Sequence, residues 1–197
     1  LITYGMIRFS HPAYEGAVAD FTFSQEYWPI PEIVYNAVPF VHGVHAPLIF
    51  VGIMTFILIA SSVTMVLAVE AGHRGAKSEV VKWMIWTIIG GIAFLSCQAW
   101  EWNHLFHEGA WWGSNPFLNI DGTKASTNFT NFFFTITGFH GFHVFSGVVI
   151  NIIMLIMTIN GVFERRGHYL MIEKAGLYWH FVDIVWIALF AAIYLIK

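Results

Sequence analysis

Apolar and polar positions in this chain fall into long blocks rather than short alternations. Four apolar runs lie at about Ala46 to Val69, Val80 to Leu105, Phe129 to Ile159 and Ala175 to Ile196. A helix that crosses a bilayer needs about 20 predominantly apolar residues, so each run predicts one spanning helix. The third is long enough to tilt or to reach the headgroups. Between the runs the pattern breaks into turn chemistry: EAGHRGAKSE over 70–79, GSNP and DGTK within 108–128, and NGVFERRGH over 160–168. Pro39 and Pro47 flank the approach to the first run, where proline suits a helix start rather than an interior.

Ahead of these runs the pattern differs. LITYGMIRF reads as the last turns of a helix, and residues 10–45 form the longest non-spanning stretch. That stretch holds Glu15, Asp20, Glu26 and Glu32 but no Lys or Arg, and its 31–44 portion is expected to lie flat at the interface. The expected architecture is all-α: a multi-span transmembrane helical bundle of four full spans over 46–197. An outward-facing segment, 1–45, precedes it, and residues 1–9 end an earlier helix.

Composition narrows the function classes. Hydrophobic residues make up 57% and charged residues 11%, against about 25% charged in soluble domains. Disordered chains are charge-rich and apolar-poor, which excludes disorder. A net charge of −3 with no basic run argues against a nucleic-acid partner. The single cysteine, Cys97, excludes both a disulfide scaffold and a copper centre that needs two cysteines. The basic residues then set an orientation, because cytoplasmic loops are rich in Lys and Arg. Arg74, Lys77 and Lys82 mark the first connection, and Arg165, Arg166 and Lys174 the third. Only Lys124 and Lys197 mark the second connection and the C-terminus. The first and third connections are therefore expected to face inward and the C-terminus outward. Trp83, Trp111, Trp112 and Tyr169 fall near span ends, where aromatic belts form.

Ionisable groups inside spans are costly and mark contacts or function. The second span carries Gln98, Glu101 and His104 on one face with Gly91 and Phe94. The third carries His140 and His143, then Gly147 and Asn151, and the fourth carries Gly176, His180 and Asp183. Small and polar stripes of this kind serve helix–helix contacts in membranes. They also admit a metal or haem reading that draws on His104, His107, His140, His143 and His180. Glu101-Trp-Asn-His104 has the E-x-x-H spacing of di-iron bundles, but those need a pair of such motifs and two further carboxylates. His140 or His143 facing His180 would suit a bis-histidine haem, and His180 and Asp183 are spaced for a same-helix contact. His42-Gly-Val-His45 is a further, isolated H-x-x-H.

Two segments carry a family resemblance. Thr137-Gly-Phe-His-Gly-Phe-His-Val144, followed by Gly147, and Tyr178-Trp-His-Phe-Val-Asp-Ile-Val-Trp186, preceded by Glu173, resemble subunit III of haem–copper cytochrome c oxidases. Gln98-Ala-Trp-Glu101 resembles that family's Gln-Ala-x-Glu-Tyr stretch, with Trp102 in the Tyr place. Ser61-Ser62 resembles its Leu-x-Ser-Ser element. The resemblance covers Ala46 to the end. It implies a non-catalytic membrane subunit that stabilises subunit I, sits in one complex with subunits I and II, binds phospholipid and supports proton uptake. Haem and copper then belong to the partner subunits, with no cofactor or metal on this chain. Gln98, Glu101, His140, His143, Glu173, His180 and Asp183 are expected to form an interhelical polar network, with Glu101 and His140 as the preferred pair. Arg74, Lys77, Arg165 and Arg166 are candidates for lipid headgroups. Family members have five or seven spans, one of which would precede Ala46. The acidic stretch from Ser10 to His45 is long for the family and is a candidate docking surface for another respiratory complex. A bacterial plasma membrane is favoured over the mitochondrial inner membrane. The alternatives are a membrane metalloenzyme or haem-binding subunit, and a structural subunit of a different respiratory complex.

Overall fold

The computed structural model describes residues 2–9, 49–116 and 127–195. In chain order its elements are α1 (Ile2–Phe9), α2 (Ile49–His73), α3 (Lys77–His107), α4 (Asn128–Ile159), α5 (Val162–Arg166), α6 (Leu170–Leu189) and a π-helical turn (Phe190–Leu195). No strand occurs among the described residues; one isolated bridge pairs Trp111 with Ser114. The expectations for 10–45, including the interfacial segment, the acidic docking surface and the His42/His45 pair, lie outside the described residues. Residues 2–9 are helical, as their pattern predicts.

The four long elements match the four apolar runs in number and place, and each is long and apolar enough to cross a membrane. At 1.5 Å per residue they measure about 30 to 48 Å, against a hydrocarbon thickness of about 30 Å. Their ends differ from the hydropathy reading. α3 begins at Lys77 rather than Val80, and α6 at Leu170 rather than Ala175. Helix geometry does not require apolar side chains, so each helix runs on into a charged first turn. Glu79 and Glu173 occupy those first turns, where a negative charge complements the N-terminal end of the helix dipole. The other ends follow turn chemistry. α2 stops at Gly75, whose φ of +70° is costly for any residue with a Cβ. The Ala76 N–H then closes on the Ala71 carbonyl at 3.0 Å, in the pattern of a Schellman cap. Gly109, at φ +88°, does the same for α3.

The described chain divides into two compact units. One comprises 1–52, 100–138 and 188–197; the other comprises 53–99 and 139–187. The second is cored by Met65 and Ala68 of α2, Met84 and Phe94 of α3, Val144 and Val148 of α4, and Ile172, Trp179 and Trp186 of α6. The first is cored by Phe50, Leu105, Phe129, Phe133 and Phe134. Phe56, Trp86, Phe139, Phe142, Leu177 and Phe181 are each more than half exposed. Only 28–39% of each span's apolar window is buried within the chain, so most of the apolar surface faces outward. Water would not tolerate that arrangement, and a bilayer favours it.

Candidate functional site

The polar residues of the second unit meet along α2 and α6. The Trp179 indole N–H donates to Ser61 Oγ at 2.9 Å, and the Trp186 indole N–H to Thr55 Oγ1 at 3.0 Å. Next to the first of these, Ser62 Oγ lies 2.6 Å from His180 Nδ1. The Ser61 and Ser62 pairings and the Thr55 pairing run in opposite directions along α2 and α6, as antiparallel helices require, and three side-chain hydrogen bonds join the two helices, with α2 supplying only hydroxyls. Thr64 adds a link to α3, with its hydroxyl 2.8 Å from that of Thr87. Glycines make the close approach feasible. A Cβ at Gly91 would lie 2.6 Å from Val148 and 2.7 Å from the Trp179 ring, and one at Gly147 would lie 2.9 Å from that ring. Trp179 thus occupies a slot between α3 and α4 while its nitrogen holds α2.

His140 is buried, with Nε2 3.3 Å from the Val182 carbonyl of α6. Its ring packs against Phe94 and Trp186, with centroids at 5.8 and 5.1 Å. Gln98 lies against α4 one residue away, since a Cβ at Gly141 would come within 2.9 Å of its amide. His143 points elsewhere. Its Nδ1 bonds the Phe139 carbonyl of its own helix at 2.8 Å, and it is part-exposed between Phe139 and Phe142. The link from that turn of α4 to α6 is made by Ser146 and the Tyr178 hydroxyl, 2.7 Å apart. Asp183 is buried with neither carboxylate oxygen hydrogen-bonded at good geometry. The Ser62 hydroxyl is within electrostatic reach of it, although its short bond goes to His180. The expected His180–Asp183 contact is therefore not made: the two share a stripe, but the His180 ring turns across to α2.

At the end of this unit that carries connections 74–76 and 160–169, charges pair across helices. Lys77 Nζ reaches Glu164 at 3.1 Å, Arg74 reaches Glu79 at 2.7 Å, and His73 lies 3.9 Å from Glu173. Glu173 belongs to this charged rim rather than to the buried seam. Arg165 bonds the carbonyls of Asn160 and Gly161, and Arg166 is exposed beside Met171. Tyr169 lies in the same region, its Cβ side filling the space over Gly72. Burial of its hydroxyl, reinforced by Glu164 and opposed by Lys77, raises its pKa above the ordinary tyrosine value.

In the first unit Glu101 is buried. Trp102 fills the space left by Gly138, where a Cβ would lie 2.9 Å from its ring. Trp102, Phe106, Trp111, Trp112 and Phe134 form an aromatic cluster with neighbouring centroids 4.5–6.5 Å apart. His104 lies 3.3 Å from Glu108 and stacks on Trp100.

Comparison with known proteins agrees with this arrangement. The family described as "Cytochrome c oxidase subunit III" matches residues 21–197. The chain belongs to this family. A "Probable cytochrome c oxidase subunit 3" of Nocardia farcinica is 35% identical over 144 residues, covering 73% of this chain and 64% of the relative. The protein of the same description in Mycobacterium bovis is 35% identical over 173 residues, covering 86% and 72%. A "Quinol oxidase subunit 3" of Bacillus spizizenii is 37% identical over 145 residues, covering 73% and 64%. The chain thus spans about two thirds of the length of these curated relatives.

The subunit III motifs read differently in the fold than they do as strings of histidines. In Thr137–Val144 it is the glycines that contact neighbouring helices most closely, and one histidine of the two that turns inward. In Tyr178–Trp186 both tryptophans and the histidine, His180, bond α2. Sequence reasoning singled out His180 and Asp183 there but not Trp179 or Trp186. Their signal was available: indoles in a span opposite the hydroxyls Thr55, Ser61 and Ser62. Among the described residues no group of three or more His, Cys, Asp or Glu is placed to hold a metal ion. Within the second unit His140 and His180 are each hydrogen-bonded in the seam, to Val182 and Ser62 respectively.

Proposed function

We propose that this chain is the subunit III component of a respiratory haem–copper oxidase, a complex that passes electrons to oxygen and pumps protons. The family match over residues 21–197 carries this reading. The relatives named above include cytochrome c and quinol oxidases, so the donor is one of these two classes. The chain itself carries no redox centre in this reading; haem and copper reside on subunits I and II. Its own contribution is structural. The seam of Ser61, Ser62, Trp179, His180 and Trp186 holds α2 against α6, and Gln98 and His140 extend polar contact along α3 and α4 within the same unit. A bundle held this way presents a fixed apolar exterior to subunit I and to phospholipids, and it supports proton uptake indirectly.

Orientation follows the charge bias. Connections 74–76 and 160–169, together with the helix turns beside them, carry six of the nine Lys and Arg residues and share one end of their unit, where Lys77 meets Glu164. That end faces the cytoplasm of a bacterial cell, and the C-terminus faces outward. Arg166, exposed at the same end with only the weak thioether acceptor of Met171, is the best placed of the four candidates to meet a lipid phosphate. Arg74, Lys77 and Arg165 are already engaged by protein acceptors. The acidic 10–45 stretch is the candidate contact for a further respiratory complex.

The test is purification of the native complex through this chain in mild detergent, with a visible spectrum and mass spectrometry of co-purifying chains. A haem spectrum with the two large oxidase subunits, and no haem or metal on this chain once separated, is expected. Stoichiometric iron or copper retained on the isolated chain would overturn the reading in favour of a metalloenzyme.

A further inference from the structure

Asp183 is the one carboxyl group that the second unit buries. Among the described residues of that unit, the other buried polar side chains end in hydroxyls, amides, an imidazole or an indole. Asp183 lies near the middle of the span Leu170–Ile193, about 15 Å or more from either end. No ion pair reaches it among the described residues; the Lys and Arg residues of the unit lie towards its charged end. An ionised carboxylate there would have no cation and no hydrogen bond of good geometry to either oxygen. A charge in that state is far costlier than a neutral polar group. Asn151 and His140 also hold atoms without a hydrogen bond, yet each has a neutral form that needs no added proton. Asp183 becomes neutral only by holding one.

Ser62 connects this acid to a base. Its hydroxyl lies 2.6 Å from His180 Nδ1 and within electrostatic reach of the Asp183 carboxyl. A hydroxyl donates one proton and accepts through two lone pairs, so it can take a proton on one side while giving its own to the other. We propose that Asp183, Ser62 and His180 form a proton relay in the middle of the bundle, with Asp183 as the neutral acid that stores the proton. In the loaded state the Asp183 O–H donates to Ser62 Oγ, and the Ser62 O–H donates to Nδ1 of a neutral His180. Transfer breaks both O–H bonds, forms a new O–H bond on Ser62 and forms the Nδ1–H bond on His180. It leaves a carboxylate and an imidazolium, whose Nε2–H is the next proton to leave. His180 is the outlet because its ring is only part-buried, whereas Asp183 is 5% exposed. The other titratable group beside the trio is His140 of α4, whose Nε2 is bonded to the Val182 carbonyl. Ser61 accepts from Trp179, which leaves Ser62 as the bridging hydroxyl. The inference stands on this seam and on the membrane-spanning reading, not on which complex the chain joins.

The experiment is infrared spectroscopy of the native complex, purified through this chain and moved from water into deuterium oxide. The wild-type-minus-Asp183→Asn spectrum should contain the carbonyl band of a protonated carboxyl group at neutral pH, and that band should shift as deuterium replaces the proton. Asp183→Asn should assemble normally, since a carboxamide matches a neutral acid in size and charge. Ser62→Ala should slow the shift about a hundredfold, the lower end of what a positioned proton-transfer group contributes. Ser62→Thr, which keeps a hydroxyl, should restore it. His180→Leu should give the same slowing from the other end of the relay, and it serves as the test if Ser62→Ala fails to assemble. Absence of the carboxyl band, a band that never exchanges, loss of assembly in Asp183→Asn, or exchange as fast in Ser62→Ala as in the wild type would each overturn the inference.

Discussion

Replacing Gly91 by Ala tests whether the Trp179 slot organises this bundle. Taken alone, the change should help, since Ala is favoured over Gly within a helix by about 0.5–1 kcal/mol. Space decides otherwise. The new methyl would lie 2.6 Å from Val148 Cγ2 and 2.7 Å from Trp179 Cη2, roughly 1 Å inside the usual separation of carbon atoms. Trp179 cannot retreat, because its nitrogen is bonded to Ser61 and its opposite edge lies over Gly147. Overpacking of a fixed core costs about 1–3 kcal/mol, so the net effect is a loss of up to about 2 kcal/mol. Gly52→Ala is the internal control: nothing lies within 4 Å of its added Cβ, and it should be neutral or slightly stabilising. The assay is the mole fraction of SDS at which half of this chain is lost from the complex in mild detergent. Gly91→Ala behaving like Gly52→Ala would refute the slot.

Three further outcomes follow. A double-mutant cycle of Ser61→Ala and Trp179→Phe in the same assay should give a coupling of about 0.6 kcal/mol, with about 1.7 as the ceiling measured for hydrogen bonds between membrane helices; a coupling indistinguishable from zero counts against that hydrogen bond. Glu101→Ala should destabilise the assembled complex by about 1–3 kcal/mol by orphaning a buried partner, with Glu101→Gln intermediate; full stability and subunit content in the alanine variant would remove Glu101 from the proposed network. Lys77 and Glu164 are 35% and 50% exposed, so a cycle across that pair should yield at most about 1 kcal/mol and vanish in high salt; a large, salt-independent coupling would show that the loops meet in a drier environment.

The histidines show how far sequence reading reached. Four spans were legible because lipid imposes a simple length and composition rule on a helix. Stripes of polar residues were legible because helical periodicity puts i, i+3 and i+4 on one face. That periodicity names a stripe but not the direction in which each side chain turns. His140 and His143 are three residues apart on α4, yet one is buried against α6 and the other borders an exposed face. His180 and Asp183 share a stripe, yet the ring bonds a hydroxyl on another helix. Trp179 and Trp186 read as ordinary apolar bulk until their nitrogens were seen to meet Ser61 and Thr55.

The amino-acid pattern by itself determined the four membrane spans between Ile49 and Ile193, their helical nature and membership of the subunit III family. The reason is that bilayer thickness, turn chemistry and long motifs act on contiguous residues. Only the tertiary structure decided which glycines are packing slots, which histidine turns inward, and which hydroxyls hold the tryptophans. Those choices depend on what stands opposite each residue, more than a hundred positions away in the case of Ser61 and Trp179.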